Sequence, residues 1–321
     1  MKRKPTTLVA ASAITLSLLA GCSAADTITS QETSTVVEAT TATGAPTGNT
    51  TVDSETVAAT TQANVEDHAN PDDYVWETSE VVDVSLGSEI TADGDGVLIE
   101  GNTVTITEAG TYHISGTLSD GQIAIEAGDE AVVRLILDNA DITNTAGGAI
   151  AVMSAERAVV LLADGTENTL TDAAVYVLAE GEDEPNAALY SASDLTFGGE
   201  GSLAVYGNYN DGITSKDGLI IDAGNISVEA VDDGILGKAY VIVNGGTLDV
   251  SAACDGIKAD NDVDADRGHI VVAGGIVEIT AGGDGIQAET DIIITGGDIN
   301  VSAGGGSSAN LGADDSAKGI K

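Results

Sequence analysis

Residues 233–254 read DGILGKAYVIVNGGTLDVSAAC, and this 22-residue stretch is one copy of an internal repeat. After the Asp-Gly-Ile start come an alternating apolar segment, a glycine turn and a second apolar segment, here Val241–Val243, Asn244–Gly246 and Leu248–Val250. The start recurs at intervals of 22, 22 and 29 residues, and the longer interval holds a seven-residue insertion within 260–267. The four copies begin at Asp211, Asp233, Asp255 and Asp284.

A fixed repeat of this length predicts an all-β solenoid, a parallel β-helix with about 22 residues per rung. Inward β-branched residues would stack on their equivalents in the next rung at about 4.8 Å, and glycines would supply positive φ at the corners. A looser form of the pattern extends upstream through Ile123–Ile125 and Val97–Ile99. A β-sandwich would also alternate, but it would not keep a 22-residue register.

The N-terminus has the organisation of a bacterial export signal. Basic residues at 2–4 precede an apolar run over 8–20 that is too short to span a membrane. The tetrapeptide Leu19-Ala20-Gly21-Cys22 resembles the lipobox of bacterial lipoproteins. It predicts a signal peptide over 1–21, lipidation of Cys22 and a location on the extracellular face of the bacterial cell membrane. The alternative is a secretory signal with an incidental cysteine.

The remaining chain divides into a tether and a folded domain. Residues 22–72 are rich in Thr, Ala and Ser and lack apolar periodicity, so we expect a disordered tether. We expect the β-helix over 73–321. The last five residues, Ala317–Lys321, match the start of a further rung, and the final rung is therefore expected to be truncated.

The charge is strongly negative, with 52 acidic and 11 basic side chains and a net charge of −41. Three basic residues and no acidic ones lie in the predicted signal, which leaves 8 against 52 and a net charge of −44. Nucleic acid is excluded as a partner, because its phosphates are bound through Lys and Arg.

The repeat register stacks carboxylates, and stacked carboxylates indicate a cation. Like charges at rung spacing repel by roughly 1–4 kcal/mol per pair, depending on the local dielectric constant. Such carboxylates are tolerated if they are solvated, protonated or neutralised by a cation. Calcium, which accepts 6–8 oxygen ligands in flexible geometry, is the cation that this cluster favours. The insertion adds alternating carboxylates, although it lacks the central Gly and distal Glu of an EF-hand loop. The predicted Ca²⁺ ligands are Asp211, Asp232, Asp233, Asp255, Asp260, Asp262, Asp264 and Asp284.

The few lysines and tyrosines near these corners are candidate ligand-binding residues. Lys216 and Lys238 both follow an Asp-Gly-Ile aspartate by five residues, and Lys258 follows Ile257 directly. They could bind sugar hydroxyls or uronates, or they could form surface ion pairs that ease the repulsion. Tyr206 and Tyr209 precede Asp211 closely and could flank an ion site.

At these motifs the sequence resembles the clostridial carbohydrate-binding β-helix lipoprotein family. The resemblance runs from about residue 85 to 321 and includes Gly110–Gly116, Asn168–Asp172 and the Asp-Gly-Ile rungs. It implies a right-handed parallel β-helix with bound calcium that binds cellulose or pectic acid and does not cleave them. More distantly, the rungs are similar to calcium-dependent pectate lyases, in which two consecutive rungs supply aspartate ligands and a lysine is the base.

The lyase resemblance places Asp211, Asp232 and Asp233 at ligand positions and Lys258 at the base, but Leu236 stands where the lyases have another carboxylate. A lyase needs a neutral base, whereas the surrounding acids favour a charged Lys258. The interpretation of the protein as a polygalacturonase-type hydrolase is weakened, because Gly268-His269-Ile270 departs from the Gly-His-Gly of those enzymes. We expect His269 on the surface. We therefore expect a monomeric, non-catalytic, calcium-dependent binder of acidic pectin or cellulose that contacts the membrane only through its lipid. A pectate-lyase-like enzyme and a structural adhesin are the alternatives.

Overall fold

The computed structural model describes residues 68–178, 181–306 and 317–321. The predicted signal peptide, the predicted lipidation site Cys22 and the predicted tether as far as residue 67 lie outside the described residues. Among the residues that are described, no helix has the length and apolar character needed to cross a membrane.

Short strands make up most of the described chain. Two 3-10 turns, Pro71–Tyr74 and Thr78–Glu80, precede them. The strands are β1 Val81–Leu86, β2 Thr91–Ala92, β3 Val97–Glu100, β4 Thr103–Ile106, β5 Gly110–Leu118, β6 Gln122–Glu126, β7 Val132–Thr143, β8 Ile150–Ser154, β9 Arg157–Leu162, β10 Glu167–Thr171, β11 Ala187–Ser191, β12 Asp194–Gly199, β13 Ser202–Gly207, β14 Asp211–Ser215, β15 Gly218–Ile221, β16 Asn225–Ala230, β17 Ile235–Gly237, β18 Tyr240–Val243, β19 Thr247–Ala252, β20 Ile257–Ala259, β21 His269–Val272, β22 Ile276–Ala281, β23 Ile286–Ala288, β24 Ile292–Ile294 and β25 Asp298–Ala303.

The strands form a parallel β-helix, which confirms the predicted fold. One sheet, here called the ladder sheet, runs in the order β23-β20-β17-β14-β11-β8-β6-β4-β3. The other, the long sheet, runs β24-β21-β18-β15-β12-β9-β7-β10-β13-β16-β19-β22-β25. The 12-residue strand β7 turns the corner between two faces of the coil, so it pairs with both β9 and β10 and joins those faces into one sheet.

Each repeat unit contributes one strand to the ladder sheet and two to the long sheet. Within residues 233–254 these are β17, β18 and β19. Ile235 pairs with Ile213 in the preceding rung and with Ile257 in the next, and all three are 0% exposed. The inward side chains thus stack on identical residues, and the fixed repeat length maintains this register.

The glycine of Asp-Gly-Ile is required for close packing rather than for positive φ. A Cβ on Gly234 would lie 2.3 Å from Cγ1 of Val250 and 2.6 Å from the carbonyl oxygen of Gly256. Positive φ occurs at the other corner, where Gly246 has φ +80°. The predicted role of glycine is therefore confirmed at the second corner and replaced by a steric one at the first.

The N-terminal segment, residues 68–76, packs along the outside of the long sheet. Asp73 is 1% exposed and accepts a hydrogen bond from Nε of Arg157 at 2.6 Å, and the hydroxyl of Tyr74 donates to Asp222. His68 stacks on Tyr240 with ring centroids 4.5 Å apart.

The expectation that His269 lies on the surface is wrong. The residue is 3% exposed and stacks on Tyr240 with ring centroids 5.6 Å apart. Strand β21 pairs on both sides, which places His269 between Tyr240 and Asp291, and neither of its ring nitrogens has a hydrogen-bond partner among the described residues. A catalytic role for this imidazole has no support in the structure.

Candidate functional site

The four Asp-Gly-Ile aspartates form a continuous hydrogen-bonded column along one corner of the β-helix, here called the aspartate ladder. In each of them Oδ1 accepts the backbone N–H of the equivalent residue one rung further on. The successive N···O distances are 3.3 Å to Asp211, 2.9 Å to Asp233, 2.7 Å to Asp255 and 2.6 Å to Asp284, the last donor being the N–H of Lys318. Half of each carboxylate therefore has a structural role, because it satisfies a corner N–H that the sheets leave unpaired.

Lysine ammonium groups neutralise the lower part of the aspartate ladder. Nζ of Lys258 lies 2.9 Å from Oδ2 of Asp233 and 3.7 Å from Oδ2 of Asp255. Nζ of Lys321 lies 2.9 Å from Oδ2 of Asp284. The stacked charges that predicted a cation are thus partly compensated by the chain itself.

At the upper end of the ladder, no ammonium of the described residues pairs with the aspartate. Asp211 is 3% exposed, and its carboxylate accepts hydrogen bonds from four groups: the N–H of Asp233, the Thr214 hydroxyl and the amides of Asn210 and Asn186. Burial, together with the negative charges of Asp233 and Asp232, raises the pKa of Asp211 to about 7. This carboxylate is the one whose charge is least compensated, and a bound cation would stabilise its ionised form.

A second column of side chains flanks the ladder, one residue before each aspartate. Strand pairing aligns Asn186, Asn210, Asp232, Cys254 and Gly283 in consecutive rungs. Asp232 and Asp233 have carboxylate oxygens within 4.8 Å of each other and of the sulfur of Cys254. Because calcium prefers oxygen, the two carboxylates are the relevant ligands of this group.

Asn186 is the residue at this corner that sequence inspection misses. Its Nδ2 donates to Asp211 Oδ2 at 3.3 Å, while its Oδ1 is buried and has no hydrogen-bond partner within the part of the chain that the structure describes. An amide oxygen in that state is a suitable additional ligand for a hard cation. The pairing of Ala187 with Asp211 reveals the position, but no Asp-Gly-Ile start marks this rung in the sequence.

The carboxylates of the insertion occupy a different place. Asp255 precedes β20 and Asp260 follows it, so an extended strand separates them by about 16 Å. Asp262 and Asp264 are exposed, and the loop is held by Arg267, whose Nη1 lies 2.8 Å from Oδ1 of Asp217. The eight predicted ligands therefore cannot share one ion: five lie at the ladder corner and three, Asp260, Asp262 and Asp264, at the opposite end of β20.

The predicted ligand-binding lysines all lie along the ladder sheet. Lys258 projects outward in register with Leu236, whereas Lys216 and Lys238 occupy the corner after β14 and β17. Lys216 pairs with Glu184, which also accepts a hydrogen bond from the hydroxyl of Tyr190 at 2.8 Å. Lys238 makes no ion pair with any described residue.

The geometry of Lys258 is unsuited to proton abstraction. Burial opposes its charge, but the carboxylates of Asp233 and Asp255 outweigh this effect and raise the pKa of Lys258 above its ordinary value. A general base must be neutral at working pH, and this amine is held as an ammonium. Leu236, at the position of a further lyase ligand, is an apolar residue that is 8% exposed on the ladder sheet.

The fold and this acidic corner define a parallel β-helix with a column of carboxylates along one corner. The model of the carbohydrate-binding domain-containing protein family matches residues 100–321, and the chain belongs to that family. The chain is 43% identical over 144 residues to a carbohydrate-binding domain-containing protein of Acetivibrio thermocellus, covering 44% of this chain and 50% of the relative. The chain thus spans about half the length of this curated relative.

A solved structure supports the same assignment. The chain is similar to the polysaccharide lyase-like protein from C. thermocellum, in a structure described as its gadolinium derivative. The TM-score is 0.63 and the identity 33%, with 74% of this chain and 99% of the other covered. Both fold and family are therefore shared with this protein.

Proposed function

We propose that the protein binds plant cell-wall polysaccharide, pectic acid or cellulose, without cleaving it, and that calcium at the ladder corner is required for binding. The observation that carries the non-catalytic part is the position of Lys258. Its ammonium lies between Asp233 and Asp255, so the residue that would be a lyase base serves instead as the counter-ion of the ladder.

The proposed calcium position is the upper end of the aspartate ladder, where carboxylate oxygens of Asp232 and Asp233 lie within 4.8 Å of each other. We add as proposed ligands the buried carboxylate of Asp211 and, as a neutral ligand, Oδ1 of Asn186. When bound, calcium would supply positive charge between the protein carboxylates and the oxygen atoms of a sugar chain.

The lysine-bearing ladder sheet is the face that we assign to the polysaccharide. Lys216, Lys238 and Lys258 lie there on three successive rungs. Lys258 contacts the aspartate ladder directly, whereas Lys216 and Lys238 lie at the far ends of β14 and β17. Anchoring through a lipid on Cys22 would present this face at the outside of the cell.

The proposal is tested by retention on insoluble pectic acid and on cellulose, with calcium and with EDTA. We expect EDTA to abolish retention on pectic acid and to lower the midpoint of thermal unfolding. The Asp232→Asn variant should weaken calcium binding in calorimetry, whereas Asp249→Asn, an exposed carboxylate on β19, should not. Equal retention in chelator would refute the calcium requirement.

A product assay separates binding from cleavage. Incubation with polygalacturonate and calcium should release no unsaturated product that absorbs in the near ultraviolet. Release of such a product, together with its loss in Lys258→Gln, would establish the lyase alternative.

A further inference from the structure

The corner directly above the aspartate ladder departs from the repeat in two neighbouring rungs. In the later rungs, two residues connect the last long-sheet strand to the ladder aspartate, for example Val231 and Asp232 between β16 and Asp233. The connection from β13 to Asp211 has three residues, Asn208, Tyr209 and Asn210. One rung earlier, the connection from β10 to β11 is much longer and includes residues 173–186. Insertions in a solenoid commonly gather on its binding face.

These two departures bring a pair of tyrosines into contact. The rings of Tyr176 and Tyr209 are stacked, with centroids 4.1 Å apart and an interplanar angle of 15°. Tyr176 is 8% exposed and lies beneath, whereas Tyr209 is 36% exposed. The outer tyrosine therefore rests on a second aromatic ring and still presents part of its own surface to solvent.

Asp172 fixes both tyrosines. It is 4% exposed, accepts the hydroxyl of Tyr176 on Oδ2 at 2.8 Å and accepts the backbone N–H of Asn208 on Oδ1 at 2.5 Å. The hydroxyl of Tyr176 also lies 2.9 Å from the carbonyl oxygen of Ala187, on the ladder sheet. Since the inner ring and the turn that carries the outer ring are tied to one buried carboxylate, little conformational entropy remains to be lost when a ligand stacks on Tyr209.

The turn that carries Tyr209 adjoins the rung that carries Asp232. Backbone hydrogen bonds place the turn directly over Val231 and Asp232, from Val231 N to Gly207 O and from Asp232 N to Asn210 O, both 3.0 Å. Val175 and Val177, in the inserted segment, are 73% and 82% exposed. A pyranose has an apolar C–H face and a rim of hydroxyls, so it would pair its face with the ring and its rim with Asp232 and Asn210.

We propose that Tyr209, supported by Tyr176 and Asp172, is a stacking platform for one pyranose ring of a bound polysaccharide. This inference rests on the proposed polysaccharide-binding function and adds to it a stacking ring that is not itself a calcium ligand and that adjoins the proposed ligand Asp232. Tyr206 is 38% exposed on β13 but has no ring contact with any described residue, so it lacks the rigid support of Tyr209.

The test compares Tyr209→Ala, Tyr209→Phe and Tyr206→Ala in the full chain by affinity electrophoresis in soluble cellulose derivative and in polygalacturonate, with calcium present. We expect Tyr209→Ala to weaken binding about tenfold on the polysaccharide that the wild type retains, as one lost stacking contact would. Tyr209→Phe and Tyr206→Ala should remain within about twofold of wild type, because stacking needs the ring and not the hydroxyl. Equal losses in Tyr209→Ala and Tyr206→Ala would overturn the assignment.

Two further measurements separate the possible failures. Tyr209→Ala should keep wild-type calcium affinity and a cooperative unfolding transition whose midpoint falls only by the few degrees that one lost ring contact costs, so that its loss of binding reports the platform and not the fold. If the wild type binds a polysaccharide and Tyr209→Ala binds it with the same affinity, the platform is refuted while the proposed function stays intact. A wild type that binds neither polysaccharide with calcium would instead refute the proposed function.

Discussion

Replacing Lys258 with glutamine should expose the electrostatic cost of the aspartate ladder. The ammonium lies between Oδ2 of Asp233 at 2.9 Å and Oδ2 of Asp255 at 3.7 Å. Two unit charges at a rung spacing of about 4.8 Å repel by about 3.5 kcal/mol at an effective dielectric constant of about 20. Removing one partner of a fully buried ion pair costs about 3–5 kcal/mol. Because the Lys258 side chain is 24% exposed, we expect Lys258→Gln to lower the free energy of unfolding by about 2–4 kcal/mol.

Thermal unfolding in EDTA at pH 8 measures this change. For a domain of this size the expected loss corresponds to a midpoint lower by roughly 5–15 °C. Lys238→Gln is the matched control. It removes the same charge one rung away, and Lys238 makes no ion pair with any described residue, whereas Lys258 does. Its midpoint should stay within about 2 °C of wild type.

Calcium provides the second readout of the same variant. With the ammonium removed, a divalent cation can enter between the two carboxylates, so millimolar calcium should raise the midpoint of Lys258→Gln more than that of wild type. Equal midpoints for Lys258→Gln and Lys238→Gln, with equal responses to calcium, would refute the reasoning that Lys258 neutralises the ladder.

Three further predictions concern other parts of the molecule. Because burial and neighbouring carboxylates raise the pKa of Asp211 to about 7, the folded state holds a proton between about pH 4 and 7 that the unfolded state releases. The stability contributed at this position therefore decreases as pH rises through 7. Asp211→Asn should make the unfolding midpoint depend less on pH between pH 5 and 8, and an unchanged pH dependence would contradict this. His113 lies 2.6 Å from Asp83 and 3.1 Å from Asp138, and although burial opposes its charge, these hydrogen bonds raise the pKa of His113. The stabilisation by charged His113 is complete below the pKa of the unfolded state and is lost as pH rises through the pKa of the folded state. His113→Gln should therefore lower the free energy of unfolding more at pH 5.5 than at pH 9. An equal loss at both pH values would argue against this. Deleting residues 261–267 restores the two-residue corner of the preceding rung and should change the free energy of unfolding by less than about 1 kcal/mol, because the loop is mostly exposed and its ion pair with Asp217 lies at the surface. If calcium binding disappears in this deletion, the ion belongs to the insertion and not to the ladder corner.

The corner site was only partly readable from sequence. The vertical stacking of Asp211 on Asp233 follows from the 22-residue interval, because in parallel rungs the interval fixes which residues lie above one another. The side chains that pair with these two carboxylates do not follow from the repeat interval. Lys258 reaches back 25 residues to Asp233, a contact that depends on the direction of a side chain in register with Leu236.

Asn186 and Tyr176 were not predicted because they lie in the long segment before β11, which has no repeat to give it a register. The buried position of His269 was not predicted for a related reason. It occupies an outward position of β21, where the repeat alone indicates exposure, but Tyr240 packs against it.

The sequence by itself determined the parallel β-helix, its rung length, the inward apolar stacks and the column of aspartates, because a repeat in sequence becomes a translation in space. The tertiary structure decided which charges are compensated, which carboxylates remain available to a cation and which tyrosine is supported from below. Those properties depend on contacts between residues that share no period, and only the packing of side chains at the corners brings them together.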